Sequence, residues 1–171
     1  MSTPESPYAV RRAAAADVPA VLDMKLAAWR EAYGDLRPES FFRAERDRRE
    51  QLIDWWNRGL AAGAEFWLAE DAAGRVVGCA GATPGLDEDS DTGVGVELQI
   101  LYVLAEAYGT GLGLRLMRAA IGDLPALVWV LRENPRAQAF YRKHGFAPDG
   151  TTEALDGLWE GLTEIRMVRR G

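Results

Sequence analysis

The sequence predicts an α/β fold of the mixed α+β kind, with helices packed against a mixed sheet. Two short apolar runs, at 96–104 and 126–131, are rich in β-branched and aromatic residues, which is typical of buried strands. Segments 65–70 and 76–82 are separated by a short turn and predict a β-hairpin. Between these segments apolar residues recur at helical spacing, so strands and helices are expected to alternate.

The N-terminal part of the chain is predicted to form one strand and two helices. Residues 1–6 are expected to be disordered, and residues 8–13 to form the first strand. Asp17 is predicted to cap a helix that stops near Gly34, because Asp is a favoured N-cap residue. A second, highly charged helix is expected over about 41–61.

The rest of the chain is predicted to continue the sheet and add two helices. The polar segment 83–95 is expected to be a loop, and Asn134 to cap a helix with Pro135 at its first position. In order, the remaining predicted elements are the hairpin strands 65–70 and 76–82, a strand at 96–104, a helix at 111–123, a strand at 126–131, a helix that stops at Gly145, and a closing strand at about 162–169.

Length and composition limit the classes of partner. The 171 residues are expected to fold as one domain, residues 1–171. A formal net charge of −6 argues against nucleic acid and anionic membranes as main partners, although Arg115 and Arg118 form a local basic cluster. One cysteine and one histidine cannot build the usual zinc site, so no metal is expected. Without a signal peptide or a long apolar run, a soluble cytoplasmic protein is expected.

The most informative stretch is the turn after the strand at 96–104, which reads YGTGLG at 108–113. A strand, a glycine-rich turn and a helix in this order direct backbone N–H groups to one place, at the positive end of a helix dipole. The pattern predicts an anion site, and phosphate is the usual anion. A tight turn without any ligand is the alternative.

Two common nucleotide-binding templates do not match this turn. Counting from Gly109, the dinucleotide fingerprint needs a third glycine where this chain has Leu114. A P-loop needs Lys after its last glycine, but Leu114 and Arg115 follow Gly113. The kind of phosphate ligand therefore has to be inferred from other residues.

Residues 97–146 resemble the Gcn5-related N-acetyltransferase (GNAT) family in two motifs. The first is YGTGLG at 108–113, which opens a helix, and the second is NPRAQAFYRKHGF at 134–146. The family pattern has Arg or Gln where this chain has Tyr108, so the resemblance implies weaker or altered cofactor contacts there. For the fold, the resemblance implies a mixed, mostly antiparallel sheet of about six to seven strands, with splayed central strands and flanking helices.

The resemblance implies that acetyl-CoA is the co-substrate. Its pyrophosphate would lie on the backbone N–H groups of the glycine turn, and its pantetheine arm would bind the backbone of the strand before the turn. Asn134 would face the cofactor arm. The cofactor-binding residues implied in this way are Leu101, Tyr102, Val103, Tyr108, Gly109, Thr110, Gly111, Leu112, Gly113, Asn134, Ala137 and Tyr141.

Acetyl transfer to an amine needs a base, stabilisation of the carbonyl oxygen and a proton for the leaving thiolate. The resemblance assigns the last role to Tyr141, since a phenol with a pKa near ~10 is protonated at neutral pH. Glu97 is the candidate base, and a main-chain N–H near Val103 is the candidate for the carbonyl oxygen. A core tyrosine at 141 and a solvent-facing carboxylate at 97 are the alternatives.

The acceptor is expected to be a primary amine of a small molecule or of a peptide or protein amino terminus, attacked directly in a ternary complex. Tyr33, at a helix end, is the candidate acceptor-binding aromatic residue together with Glu97, whereas Trp29 is expected in the core. The acidic residues in 87–91 are expected to be a solvated loop, or to attract a cationic acceptor. A non-catalytic acyl-CoA-binding or sensing module is the alternative function. Dimers are common in the family, so a homodimer is left open.

Overall fold

The computed structural model describes residues 6–171, so the predicted disorder of residues 1–6 lies, except for Ser6, outside the described residues. The described chain contains seven strands and five α-helices. The strands are β1 Ala9–Arg12, β2 Phe66–Glu70, β3 Val76–Pro84, β4 Val96–Val103, β5 Ala126–Leu131, β6 Ala147–Ala154 and β7 Thr163–Arg169. The helices are α1 Val18–Tyr33, α2 Glu39–Asp47, α3 Arg49–Ala61, α4 Leu112–Ile121 and α5 Pro135–Lys143.

The seven strands form an open sheet in the order β1-β2-β3-β4-β5-β7-β6. β4 and β5 pair in parallel, with Glu97 opposite Leu127, whereas β1 with β2, β2 with β3, β5 with β7 and β6 with β7 pair antiparallel. The predicted fold class, a mixed and mostly antiparallel sheet with flanking helices, is confirmed. The splay of the central strands and the single domain stay predictions.

The described chain divides into two compact units. The first contains the described residues up to Gly81 together with Ile100–Ala120, and the second contains Ala82–Gln99 and Ile121–Gly171. Strands β3 and β4 contribute residues to both units. Each unit has its own core, and the two cores differ in chemistry.

The core of the first unit is apolar. Val18, Val21 and Leu22 recur at helical spacing on α1 and are buried. A Cβ at Gly78 of β3 would lie 2.8 Å from Leu116 Cδ1 of α4, so a larger residue here would force the Leu116 side chain to shift. Helix α4 can therefore pack closely on β3.

The second unit combines an apolar sheet face with a buried arginine. Leu127 of β5 lies opposite Val168 of β7, and Met167 beside it is fully buried. Arg166 of the same strand is 3% exposed and lies among carboxylates. This polar core was not predicted.

The predicted helix over 41–61 is wrong in its continuity, because the structure has two helices there. Arg48 separates α2 from α3, with φ −86° and ψ 0°. Phe41 and Phe42 of α2 and Trp56 of α3 are all buried. Amphipathic periodicity continues through such a break, so the pattern alone does not locate it.

Two smaller expectations also fail. Strand β6 was not predicted, because its sequence APDGTTEA contains Pro, Asp and Gly, which are depleted in strands. It is largely exposed, and its pairing with β7 shifts register between Pro148 and Thr152. Asp17 precedes α1 but makes no side-chain cap bond to it. Its carboxylate instead accepts from the Ala14 N–H at 2.7 Å and from Arg11 at 2.8 Å.

Within residues 6–171, no helix combines the length and the apolarity that crossing a membrane would require.

Candidate functional site

The turn between β4 and α4 is built around two glycines in the left-handed region. Gly109 has φ 75° and Gly111 has φ 82°, a conformation that glycine adopts at little cost. Both residues are exposed, and a Cβ built on either one would meet no described atom within 4 Å. The space outside the turn therefore has room for a ligand group.

The first turn of α4 presents backbone N–H groups beside these glycines. The Arg115 N–H donates to the Gly111 carbonyl at 3.2 Å, which begins the helical ladder. The N–H groups of Gly113 and Leu114 come before this bond and have no carbonyl four residues earlier within the helix. The Thr110 hydroxyl donates to the Ala107 carbonyl at 2.7 Å and fixes the turn. The geometry fits an anion such as pyrophosphate.

The predicted basic cluster beyond the turn is reduced to one exposed arginine. Arg115 is half-buried and donates from Nη1 to the Ser6 hydroxyl at 2.5 Å and to the Tyr8 carbonyl at 2.9 Å. It therefore ties α4 to the N-terminal segment. Arg118 is exposed.

The end of β4 carries the residues predicted to bind pantetheine. Leu101, Tyr102 and Val103 are half-buried, as is Tyr108 in the turn. The Ala105 N–H just after the strand donates to Glu31 Oε2 of α1 at 2.7 Å. Glu31 was missed, because its partner lies 74 residues further along the chain.

The aromatic residues of the first helix have different environments. Trp29 is 8% exposed, as expected for a core residue, and its ring lies edge-on 5.9 Å from that of Tyr102. Tyr33, the last residue of α1, is half-buried. Its proposed contact with an acceptor stays a prediction.

In the second unit, Glu97 near the start of β4 is 9% exposed. Burial raises the pKa of its carboxyl, and the negative charges of Asp89 and Glu88 raise it further. Glu164 of β7 shows the same tendency, with its pKa raised by burial and by Glu153 and Glu97. Glu97 therefore does not face solvent, and the pKa of its carboxyl is raised. A base that works near neutral pH needs such a raised pKa.

Arg166 holds the acidic segment before β4 in place. Its five N–H donors are all bonded to acceptors of the second unit. Nη1 donates to Asp89 at 2.8 Å and to Asp91 at 2.9 Å, and Nη2 donates to Asp91 at 2.7 Å. Nε donates to Asp149 at 2.7 Å, and Nη2 also donates to the Thr151 hydroxyl at 3.0 Å. The arginine lowers the pKa of Asp91 by its hydrogen bonds and charge.

The expectation that residues 87–91 are a solvated loop is wrong for Asp89. Residues Asp87–Thr92 form a short 3₁₀ helix, and Asp89 is 2% exposed. Its carboxylate bonds to Arg166, 77 positions away, and lies 3.5 Å from the Trp129 indole nitrogen. Arg166, between Ile165 and Met167 in a predicted strand, was the available sequence signal, although it did not identify the partners.

Helix α5 begins as predicted. The Asn134 side-chain oxygen accepts from the Ala137 N–H at 3.0 Å, and Pro135 is the first helical residue. Tyr141, two turns later, is 6% exposed, with ring centroids 5.3 Å from Phe140 and 5.6 Å from Phe146. These edge-on contacts fix the phenol ring, and the catalytic role of Tyr141 stays a prediction.

The predicted residues fall into groups within each unit. The turn glycines, Thr110, Leu112 and the end of β4 lie together in the first unit, whereas Glu97 lies with Asp89 and Glu88 in the second. In the part of the chain that the structure covers, no group of three or more His, Cys, Asp or Glu side chains is arranged to hold a metal ion.

Comparisons with known proteins point to one family. A model of the family described as an acetyltransferase (GNAT) domain matches residues 62–148. Uncharacterized N-acetyltransferases from Mycobacterium bovis and Mycobacterium tuberculosis are 44% identical over 84 residues, which is 46% of this chain and 50% of theirs. The chain thus spans about half the length of the curated relatives it matches.

Solved structures of acetyltransferases share the fold. The PaiA N-acetyltransferase from Thermoplasma acidophilum, in complex with coenzyme A, has a TM-score of 0.70 at 20% identity and covers 96% of this chain and 99% of its own. A GNAT-family acetyltransferase from Bacillus cereus has a TM-score of 0.64 at 14% identity, covering 95% and 96%. At these identities the likeness concerns the fold.

Proposed function

Because this chain belongs to the GNAT acetyltransferase family, we propose that it transfers the acetyl group of acetyl-CoA to a primary amine. The observation that carries the proposal is the glycine turn, where two exposed left-handed glycines stand beside the N–H groups at the start of α4. This arrangement suits the pyrophosphate of coenzyme A. The proposed acceptor is a small-molecule amine or a protein amino terminus.

The proposed cofactor contacts are made mainly by backbone groups. The pyrophosphate binds the N–H groups of residues 109–113, and the pantetheine arm forms sheet-like hydrogen bonds with residues 101–103. Asn134 and Ala137, at the start of α5, contact the cofactor arm in this proposal, and Tyr108 adjoins the phosphates. Binding both substrates together allows the amine to attack the thioester directly in a ternary complex.

The proposed chemistry uses two side chains of the second unit. Glu97 accepts the proton of the attacking amine, directly or through water, and its raised pKa supports that role. Tyr141 donates its phenolic proton to the departing thiolate, and the rings of Phe140 and Phe146 keep it oriented. A main-chain N–H near Val103 stabilises the carbonyl oxygen as negative charge develops.

Acetyl-CoA binding is tested by thermal unfolding. Acetyl-CoA at ~100 times its dissociation constant is expected to stabilise the fold by about 2.7 kcal/mol. Desulfo-CoA is a suitable second ligand, because it keeps the phosphates and lacks the thiol. An unchanged melting temperature at millimolar acetyl-CoA would rule out the proposed cofactor.

Turnover is tested by thiol release with a panel of amines. Acetyl-CoA-dependent thiol release that requires the amine supports the enzyme. Cofactor binding without turnover on any amine would instead favour the non-catalytic acyl-CoA-binding or sensing module.

The base and the class of acceptor are tested together. An α-amine with a pKa near ~8 is partly neutral at pH 7.5, whereas a lysine-like amine near ~10.4 is almost wholly charged. Glu97→Gln should therefore reduce kcat/KM more for the lysine-like acceptor. Equal losses of kcat/KM for the two acceptors would argue against a base role for Glu97.

The proposed contact of Tyr33 with the acceptor is tested separately. The variants are Tyr33→Phe and Tyr33→Ala, and the measurement is KM for the acceptor.

A further inference from the structure

Three glutamates from three strands share one face of the sheet in the second unit. Glu97 of β4 lies opposite Leu127 of β5, and Glu164 of β7 lies opposite Leu131. Glu153 of β6 lies opposite Glu164. Paired residues, and every second residue along a strand, direct their side chains to the same face of a sheet. Because Leu127 and Leu131 are four residues apart on β5, the three glutamates lie on one face.

A tryptophan lies on this face between the glutamates. Trp129 of β5 is half-buried and comes midway between Leu127 and Leu131. Since β5 stands between β4 and β7 in the sheet, Trp129 lies between Glu97 and Glu164. Aromatic rings attract organic cations, and carboxylates attract them as opposite charges. The face therefore combines an aromatic surface with negative charge on both sides of it.

Arg166, on the same face, does not neutralise the three glutamates. It lies opposite Trp129 and donates to Asp89, Asp91 and Asp149. Three carboxylates around one guanidinium leave no excess positive charge for other acidic groups.

Within residues 6–171, the carboxylates of the three glutamates make no ion pair and no side-chain hydrogen bond. Glu97 is nevertheless 9% exposed, so a carboxylate that is nine-tenths buried lies on this face without a partner. Glu153 and Glu164 are directly opposite each other, and like charges in that arrangement destabilise a sheet. Burial raises the pKa of Glu164, and the charges of Glu153 and Glu97 raise it further. A bound cation would relieve both the repulsion and the unpaired burial.

We propose that the acceptor is a small linear amine that carries a second positive charge. Its reacting amine binds at Glu97, and its second ammonium group binds Glu164 and Glu153. Two strand spacings and four residues along the sheet separate the Cα atoms of Glu97 and Glu164 by about 16 Å, and an alkyl chain along Trp129 can join the two ends. The inference rests on the proposed function, because it extends the same acceptor site, and it narrows the acceptor to a diamine.

The test is direct binding, measured by isothermal titration calorimetry on the full chain at pH 7.5 without acetyl-CoA. The probes are linear diamines with four to eight carbon atoms, and each is compared with the amino alcohol of the same length. The amino alcohol keeps the reacting amine and the alkyl chain, and has a neutral hydroxyl in place of the second ammonium. We expect the diamine of the best-fitting length to bind at least about tenfold more tightly, because its second ammonium makes charge-assisted hydrogen bonds.

Glu164→Gln is expected to reduce the preference for the diamine to less than about threefold. Glu153→Gln should have a smaller effect, because Glu153 is exposed. Both variants remove repulsion, so urea unfolding should show them to be at least as stable as the parent. Glu133→Gln, at an exposed position of the same unit, is the control and should keep the tenfold preference. Equal affinity for the diamine and the amino alcohol in the parent would overturn the proposal, and so would a preference that Glu164→Gln leaves unchanged.

Failure of this inference can be told apart from failure of the proposed function. Absence of a diamine preference would leave the melting-temperature shift with acetyl-CoA and the turnover of monoamines unaffected. An unchanged melting temperature with acetyl-CoA would instead rule out the cofactor, and the affinity for the diamine, measured without acetyl-CoA, would be unaffected.

Discussion

The two compact units carry different kinds of candidate functional groups. The turn at 108–111 in the first unit works through its backbone, because Gly109 and Gly111 leave open space beside N–H groups. The second unit contributes side chains, and the properties of Glu97 depend on neighbours such as Asp89. Backbone sites tolerate side-chain changes that preserve the turn, whereas side-chain sites depend on individual residues and their partners. Substitutions should therefore have larger effects in the second unit.

The largest effect is expected at Arg166. Arg166→Met leaves Asp89 and Asp149 buried or partly buried without their cation, which typically costs about 3–5 kcal/mol of stability. The measurement is the free energy of unfolding in urea. The matched control is Arg75→Met in the first unit, because Arg75 pairs with Asp71 and Glu106 at the surface and its loss should cost less than about 1 kcal/mol. Similar losses of unfolding free energy in Arg166→Met and Arg75→Met would contradict the expectation that substitutions in the second unit have larger effects.

The next effect is expected at Tyr141. Tyr141→Phe keeps the ring contacts with Phe140 and Phe146, so stability should change little. Loss of the proton donor should lower kcat by about 100-fold, or ~2.7 kcal/mol in the activation free energy. Tyr8→Phe in the first unit is the control. Unchanged turnover in Tyr141→Phe would mean that Tyr141 is a core residue without a catalytic role.

Glu97→Gln is expected to raise stability at pH 7 and to lower activity. Its folded pKa is raised above the unfolded value of ~4.3, so the native state binds more protons in the interval between the two values. The free energy of unfolding therefore falls as pH rises through that interval. Glu97→Gln removes this loss and should be more stable than the parent at pH 7.

The stability difference between Glu97→Gln and the parent should shrink as the pH falls below ~4, where the parent carboxyl is protonated in both states. Urea unfolding at pH 7 and pH 4 measures it. Glu133→Gln, at an exposed position, is the control and should change little at either pH. A Glu97→Gln variant that is less stable at pH 7 would show that ionised Glu97 stabilises the fold.

The smallest effect is expected at the turn. Gly111→Ala places an L-residue at φ 82° and should cost about 1 kcal/mol of stability. Its Cβ would stand in the open space beside the turn, so acetyl-CoA affinity should fall as well. Gly95→Ala is the control, because that position also has open space but no positive φ. Equal stability and equal acetyl-CoA affinity in the two variants would mean that neither property depends on the left-handed conformation of Gly111.

Local sequence determined the elements that carry the candidate site. The strand at 96–104 was predicted within one residue of β4, because a short apolar run bounded by a turn has few alternatives. The cap at Asn134 was also correct, since an N-cap bond joins residues three apart. The glycines of the turn predicted its shape, because positive φ is costly for other residues.

Only the tertiary structure decided which charges are buried together. Asp89 was expected in a solvated loop, yet Arg166, 77 positions away, buries it and keeps it near Glu97. Glu31 was missed for the same reason, because its partner, the Ala105 N–H, lies 74 positions away. Turns, caps and periodicity are fixed by interactions among neighbouring residues, whereas the pKa of a carboxyl depends on burial and on charges from distant segments. The sequence by itself therefore determined the frame of the site, and the folded chain determined its electrostatics.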